Sequence, residues 1–271
     1  MRSHGATAGG RTMNDVARQR PDTCPQTADG RGLDQFRVLT LNTHKGLAAW
    51  NRRYVLSELR DAARQTGADV VFLQEVIGEK RRARHTGYPQ YEFLADTLWP
   101  QFAYGRNAVS TGGHHGNAVL SRFPISHWKN HDASVGGEKR GLLHCVLAHA
   151  EVPIHAICVH LGLSESHRRL QLDALCRLIR SEVGADEPLI VAGDFNDWRG
   201  RADGLVHDCG LRSAFAYEKR GSPRTFPARL PLLRLDRIYV RGMTVHSAAV
   251  LAALPWPHLS DHLPLFAEVS P

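Results

Sequence analysis

Ten residues constrain this chain more than any others: Leu189-Ile190-Val191-Ala192-Gly193-Asp194-Phe195-Asn196-Asp197-Trp198. Leu189 to Ala192 is an unbroken apolar run of strand length, which reads as a strand buried on both faces. It empties into a carboxylate, Asp194, and a carboxamide, Asn196, two positions apart. If the strand period continues, both side chains leave the strand's end on one face. Gly193 removes a side chain where something must approach the backbone closely. A strand running into an Asx-type turn has the same pattern, because Asp and Asn are common turn formers. What separates the two readings is whether other strands in the chain end in the same way.

Several do. Phe36 to Asn42 is a strand ending in a polar residue. Tyr54, Val55, Leu59, Ala62 and Ala63 then form a helical pattern closed by Gly67, and Asp69 to Glu75 is a second buried strand ending in a carboxylate. A strand–helix–strand unit of this length suits neighbouring parallel strands. Residues 79 to 86 are basic and read as surface, and Glu92 to Trp99 reads as a short helix stopped by Pro100. From Phe102 the pattern turns to β, with candidate strands at 102–108, 117–121, 125–131, 141–149 and 153–160, the last ending at His160. Ser164 reads as the N-cap of a long amphipathic helix carrying Leu172, Leu175, Cys176 and Ile179 on one face. Strands at 235–240 and 244–251 follow, and Ser260-Asp261-His262 leads into a last apolar strand, Leu263 to Val269.

The polar strand ends are therefore Asn42, Glu75, His160, Asp194 with Asn196, Asp236, and Asp261 with His262. Singly, each has a bland explanation. Glu75 can be a solvated strand end, His160 a hydrogen-bonded structural histidine, Asp236 a surface partner of Arg234 or Arg237, and Asp261 a turn residue. Together they are what strands produce when they deliver side chains to one rim of a sheet.

Composition bounds the remainder. The chain has 271 residues, 42% of them hydrophobic, enough for a substantial core. The formal charge of +7 favours an anionic partner. Residues 1–34 carry almost no large apolar side chains and read as a disordered tail. No linker or fixed-period repeat interrupts the chain beyond that tail, so residues 35–271 read as one domain. The five cysteines (Cys24, Cys145, Cys158, Cys176 and Cys209) are scattered, without a C-x-x-C pair, which indicates neither a disulfide framework nor a zinc knuckle. The first ten residues lack an apolar signal segment, and no stretch approaches the roughly 18 apolar residues of a membrane span. The expectation is a soluble, cytoplasmic monomer with no integral membrane segment.

At this point the residues resemble a family. Leu41-Asn42-Thr43-His44-Lys45-Gly46, Leu73-Gln74-Glu75-Val76, Gly116-Asn117-Ala118-Val119-Leu120-Ser121-Arg122, Arg140-Gly141 and His160-Leu161 look like ordered motifs of the endonuclease/exonuclease/phosphatase superfamily. Gly193-Asp194-Phe195-Asn196, Leu235-Asp236-Arg237-Ile238 and Ser260-Asp261-His262-Leu263-Pro264 complete the series. That superfamily includes deoxyribonuclease I, exonuclease III, neutral sphingomyelinases and inositol polyphosphate 5-phosphatases. The resemblance covers roughly residues 36–269. It implies an α+β fold: a four-layer α/β/β/α sandwich, two mixed sheets face to face with helices outside.

It also implies a chemistry, hydrolysis of a phosphoester. Asn42, Glu75 and Asp261 offer oxygen ligands suited to Mg²⁺ or Mn²⁺ rather than zinc. Asp236 would hold the His262 imidazole in one tautomer while its other nitrogen takes a proton from water. Asp194 and Asn196 would orient that water, and His160 and Arg140 would face the phosphoryl oxygens. His44, Lys45 and Asn117 are expected at the substrate, and Gly112-Gly113-His114-His115-Gly116 as a flexible phosphate-contacting loop. The leading expectation is a phosphodiesterase, nuclease-like. A lipid or inositol phosphate phosphatase resembling sphingomyelinase is the competing enzyme, and a non-catalytic phosphate-binding module the competing class. The substrate is thus an anionic phosphoester, either nucleic acid or a phospholipid or inositol phosphate, and fold alone does not choose among these.

Overall fold

The computed structural model describes residues 16–18, 34–50, 53–80, 89–95, 99–110, 113–149, 152–216 and 222–271. Seven strands form one sheet: β1 (Val16–Arg18), β2 (Phe36–Asn42), β3 (Val70–Lys80), β4 (Gln101–Ser110), β5 (Gly113–Ser121), β12 (Thr244–Val250) and β13 (Leu265–Ser270), in the order β1-β4-β5-β3-β2-β13-β12. Six form the other: β6 (Ile125–Asp132), β7 (Gly141–His149), β8 (Val152–His160), β9 (Leu189–Asp194), β10 (Arg212–Ser213) and β11 (Asp236–Arg241), in the order β10-β11-β9-β8-β7-β6. Helices α1 (Leu56–Gln65), α2 (Gln90–Leu94) and α5 (Trp256–Leu259) cover the outer face of the first sheet, and α3 (Glu165–Glu182) and α4 (Ala202–His207) that of the second.

The unbroken apolar runs are a consequence of this layering. Along β9, Ile190 and Ala192 enter the core between the sheets, while Leu189 and Val191 pack under α3 and α4. In β2, Phe36 and Val38 face inward and Leu39 and Leu41 pack under α1 and α2. A strand covered on both faces has no position at which a polar residue meets water, so its sequence loses the usual alternation.

Each sheet contains one parallel pair, and these pairs position the site. β2 runs parallel to β3 through the α1 crossover, and β8 parallel to β9 through α3. Parallel neighbours end on the same edge, so Asn42, Gln74, His160 and Asp194 arrive together. They also share a face: Asn42 continues the inward set of β2, His160 that of β8 (Ile154, Ala156, Cys158) and Asp194 that of β9. Asp236 precedes the inward-facing Ile238 and Val240 of β11 and is paired in register with Asp194. The inter-sheet layer is thus apolar along its length and polar at one end. Gly193 lies at that transition with φ +146, and a Cβ there would stand 2.0 Å from the Val159 carbonyl oxygen, so glycine is required where β8 and β9 pass.

Four expectations need correction. Within the segment read as a disordered tail, Val16–Arg18 pair antiparallel with Phe102–Tyr104 on the edge of the larger sheet; the remainder of 1–33 lies outside the described residues. The short helix expected at 92–99 is α2, Gln90–Leu94; Ala95 is already extended, and residues 96–98 lie outside the described residues. The glycine–histidine segment read as a loop is the start of β5, with His114 and His115 paired to both β3 and β4. Cys176 and Cys209, expected to be unpaired, form a disulfide between α3 and the turn that follows α4, with Cα atoms 5.6 Å apart. They are 33 residues apart and meet only because the two helices pack together, which no local pattern records. Cys145 and Cys158 are buried thiols, and the basic stretch 81–86 lies outside the described residues.

Candidate active site

Asp194, Asp236 and His262 meet at the polar end of the inter-sheet layer, offering ligand atoms within 4.8 Å of one another, and all three are buried. His262 Nδ1–H donates to Asp236 Oδ2 at 2.8 Å. The same oxygen accepts the Thr225 hydroxyl at 2.5 Å, which fixes the carboxylate. His262 Nε2 stands 3.8 Å from Asp194 Oδ2, beyond a direct hydrogen bond. Burial alone would push the imidazole's proton affinity down, but the carboxylates of Asp236 and Asp194 outweigh it and raise His262 to about 10. Burial raises Asp194 to about 7, against the opposing pull of the His262 charge.

Asp194 is held from both sheets. Its Oδ2 accepts Asn42 Nδ2–H at 3.1 Å and its Oδ1 accepts the Asn196 backbone N–H at 2.9 Å. Asn196 spends its side-chain N–H on the Leu161 carbonyl at 2.9 Å, leaving its oxygen to face the site. His160 Nε2 lies 3.5 Å from Asp194 Oδ2. Desolvation first and the Arg140 charge second lower His160 to about 3, so it is a neutral imidazole at ordinary pH.

Glu75 reaches the site by a different route. Val71 and Leu73 pack under the helices, so a regular β3 would send Glu75 there too. A bulge between Leu73 and Val76, with Glu75 at φ +58, breaks the alternation and turns the side chain to the cavity. Burial pushes its carboxyl up, but His160, Lys45, His115 and His44 hold it below the usual value. Lys45 Nζ is 3.6 Å from Glu75 Oε2, and His44 Nε2 is 3.8 Å from Asp261 Oδ2. His44, Lys45, Glu75 and Asn196 are the four non-glycine residues with left-handed φ among those described, and all four belong to this site. Each such conformation costs on the order of 1–3 kcal/mol and concentrates where geometry serves function rather than stability.

The cavity above these groups measures about 520 Å³. Its polar wall carries Asn42, Lys45, Glu75, His115, Arg140, His160, Asp194, Asn196 and His262. The rest of its lining is apolar: Leu163, Trp198, Phe226, Leu233 and Leu235. Arg140 is braced by Glu138, with Nη2 3.1 Å from Oε1. Asp261 sits beside His44 at the rim rather than in the cavity wall, its Oδ1 accepting Ser260 Oγ–H at 3.3 Å. Asn42 Oδ1 accepts the His44 backbone N–H at 3.0 Å, and Asn42, Glu75 and Asp261 each carry oxygen donors of the type that suits a hard divalent cation. Asp236 and His262 are joined by an imidazole–carboxylate hydrogen bond of 2.8 Å, with Asp194 3.8 Å from the other ring nitrogen, an arrangement that suits proton handling.

Of the residues expected at the substrate, Lys45 lines the cavity and His44 adjoins Asp261, but Asn117 does not reach it. Asn117 is fully buried, and its amide N–H groups bridge the Gly141 and Cys158 carbonyls at 3.1 and 3.2 Å, tying β5 of one sheet to β7 and β8 of the other. Its place is therefore structural. Thr225 and Trp198 carried no expectation as site residues, while His115, expected in a phosphate-contacting segment, lines the cavity from β5. Thr225 lies in a loop without periodicity, and only the fold brings its hydroxyl to Asp236.

The model of the Endonuclease/Exonuclease/phosphatase family matches residues 39–262. The uncharacterized protein YbhP of Escherichia coli (strain K12) is 51% identical over 243 residues, covering 86% of this chain and 96% of that protein. An endonuclease/exonuclease/phosphatase structure from Beutenbergia cavernae superposes with TM-score 0.72 at 18% identity, covering 88% of this chain and 72% of that one. D. rerio TDP2, solved in complex with a single-strand DNA product, superposes with TM-score 0.66 at 18% identity, covering 88% and 98%. Likenesses at that identity concern the fold. No described helix is long and apolar enough to cross a membrane.

Proposed function

The chain belongs to the endonuclease/exonuclease/phosphatase family, and from that premise we propose that it is a divalent-metal-dependent phosphodiesterase that activates water with the Asp236–His262 pair. One observation carries the reading: a buried imidazole hydrogen-bonded to one carboxylate and facing another, at the floor of a cavity walled by Lys45 and Arg140.

A phosphodiester already carries negative charge and resists attack, so a catalyst must offset that charge, orient water and remove its proton. Arg140, braced by Glu138, and Lys45 face the phosphoryl oxygens. His160, neutral, contributes an N–H donor rather than a charge. Asn196 offers its side-chain oxygen and Asp194 a carboxylate to orient one water. His262 Nε2 takes the proton from that water as its oxygen bonds to phosphorus, and the ester oxygen leaves from the opposite side as an alkoxide that takes a proton from solvent. Asp236 holds His262 with Nδ1 protonated, so that Nε2 is the accepting nitrogen in the unprotonated ring, the form that grows as pH rises toward about 10, and it stabilises the imidazolium that forms. Asn42, Glu75 and Asp261 would hold the metal, Mg²⁺ or Mn²⁺, which would add further neutralisation of phosphoryl charge.

The test is a panel of supercoiled plasmid, single-stranded oligonucleotide, phospholipids, inositol phosphates, and mono- and diester reporters, each with Mg²⁺ or with EDTA. Metal-dependent cleavage of diesters is expected. Cleavage confined to phosphomonoesters or lipids would replace this reading with the phosphatase or sphingomyelinase-like one, and tight phosphate binding without turnover would make the domain a binding module.

A further inference from the structure

Trp198 stands two residues after Asn196, is 50% exposed, and forms part of the apolar wall of the cavity. The Arg199 guanidinium lies over the ring, 4.5 Å from its centroid. Arg199 is in turn held by Glu165, with Nη1 3.2 Å from Oε2, and Glu165 also pairs with Arg201. Glu165 is the first residue of α3. The indole is therefore backed by a cation that a helix end fixes in place, and its exposed part borders the space above Asp194 and His262. Leu163, 74% exposed, lines the same wall.

We propose that Trp198 is a stacking platform for a nucleobase attached to the scissile phosphate, making nucleotidyl esters the substrate class of this site. The proposal rests on the phosphoesterase reading above. A phosphate seated between Arg140 and Lys45 is recognised by charge alone and carries no information about its ester group. The apolar lining supplies that information, and an indole backed by a guanidinium suits a flat ring, since every nucleobase has a π face. An acyl chain fits it less well. Leu163 donates its backbone N–H to Glu138 and Trp198 lies under Arg199, so the exposed part of the apolar lining is flanked by charge.

The experiment uses three diesters with one leaving group: thymidine 5′-(p-nitrophenyl phosphate), methyl p-nitrophenyl phosphate and octyl p-nitrophenyl phosphate. A stacked base contributes about 5- to 150-fold in binding, so wild type should favour the thymidylyl over the methyl ester in kcat/KM by a factor in that range, mostly through KM. In Trp198→Ala the ratio should fall to near 1, and in Trp198→Phe most of it should return. An unchanged ratio in Trp198→Ala, or a preference for the octyl ester, would overturn the proposal. Binding of thymidine 5′-monophosphate and methyl phosphate to wild type and Trp198→Ala is measured by calorimetry beside the kinetics. If no ester is hydrolysed, the phosphoesterase reading fails on that result. The stacking proposal is then decided separately: thymidine monophosphate binding that weakens in Trp198→Ala supports it, and binding indifferent to Trp198 refutes it.

Discussion

Replacing Asp236 by Asn tests the proton-handling pair with almost no change of shape. In the native site one oxygen, Oδ2, accepts both His262 Nδ1–H at 2.8 Å and the Thr225 hydroxyl at 2.5 Å, while Oδ1 is buried without a partner. An asparagine has two ways to fit. With its oxygen in the Oδ2 place, its NH₂ occupies the unpartnered position, an unmet buried donor costing about 1–3 kcal/mol. With its NH₂ there instead, His262 must present Nδ1 as an acceptor and carry its proton on Nε2, which then cannot take one from water. Either way the negative charge opposite the imidazolium is gone. Turnover should fall by roughly 10²–10⁴-fold, the usual contribution of positioned proton transfer. The pH profile should move as well. His262 acts as a base when unprotonated, so the wild-type rate should rise with pH toward the raised value near 10. Losing Asp236, the larger of the two attractions, lowers that proton affinity, and the rising limb should shift to lower pH. The assay is kcat/KM on a phosphodiester reporter from about pH 5 to about pH 10.5, spanning the ordinary and raised histidine values, with thermal melting as the control for folding. A folded Asp236→Asn protein with near-wild-type turnover and an unmoved rising limb would refute the role assigned to the pair.

Lys45→Gly should raise the melting temperature by about 1–3 °C while lowering turnover, because Lys45 at φ 59 bears a left-handed penalty that glycine lacks; a lower melting temperature would contradict this. His144 stacks on and hydrogen-bonds His155, and burial first, then the nearby His155, lowers it to about 3. The unfolded chain binds a proton there below about pH 6.5 that the folded chain refuses until about pH 3, so stability should drop as pH falls through that window, by about 2 kcal/mol at pH 5 from His144 alone. Urea titrations of wild type and His144→Gln at neutral and mildly acidic pH measure it, and an identical drop in both would count against His144. Reducing the Cys176–Cys209 disulfide, which spans 33 residues, should cost roughly 3–4 kcal/mol by the loop-entropy relation; a melting temperature indifferent to reductant would show that the bond contributes nothing.

The parts of this molecule legible in its sequence are those governed by periodicity along a strand. Leu189 to Ala192 announces a strand covered on both sides, and the strand is covered on both sides. Asn42, His160, Asp194 and Asp236 could be picked out because each sits where an inward-facing apolar series changes to polar at the end of a strand. Contacts made only by the tertiary fold left no such trace. Thr225 reaches Asp236 from an irregular loop, and Cys209 meets Cys176 through helix packing. Asn117 sits in a motif that suggests a ligand contact, yet its neighbours are backbone carbonyls, because β5 passes where the two sheets come close enough for one amide to join them. Glu75 stood out for its residue type, but its direction depends on a bulge that alternation cannot foresee.

Metal-dependent hydrolysis, with His262 taking the proton from water, is tested most directly by turnover of bis(p-nitrophenyl) phosphate. The protein is stripped with chelator and then reloaded with Mg²⁺, beside a His262→Ala protein of unchanged melting temperature. Turnover should vanish on chelation, return with Mg²⁺, and in His262→Ala stay about 10²–10⁴-fold lower even with the metal restored. Undiminished turnover after thorough chelation, or near-normal turnover in folded His262→Ala, would contradict the mechanism.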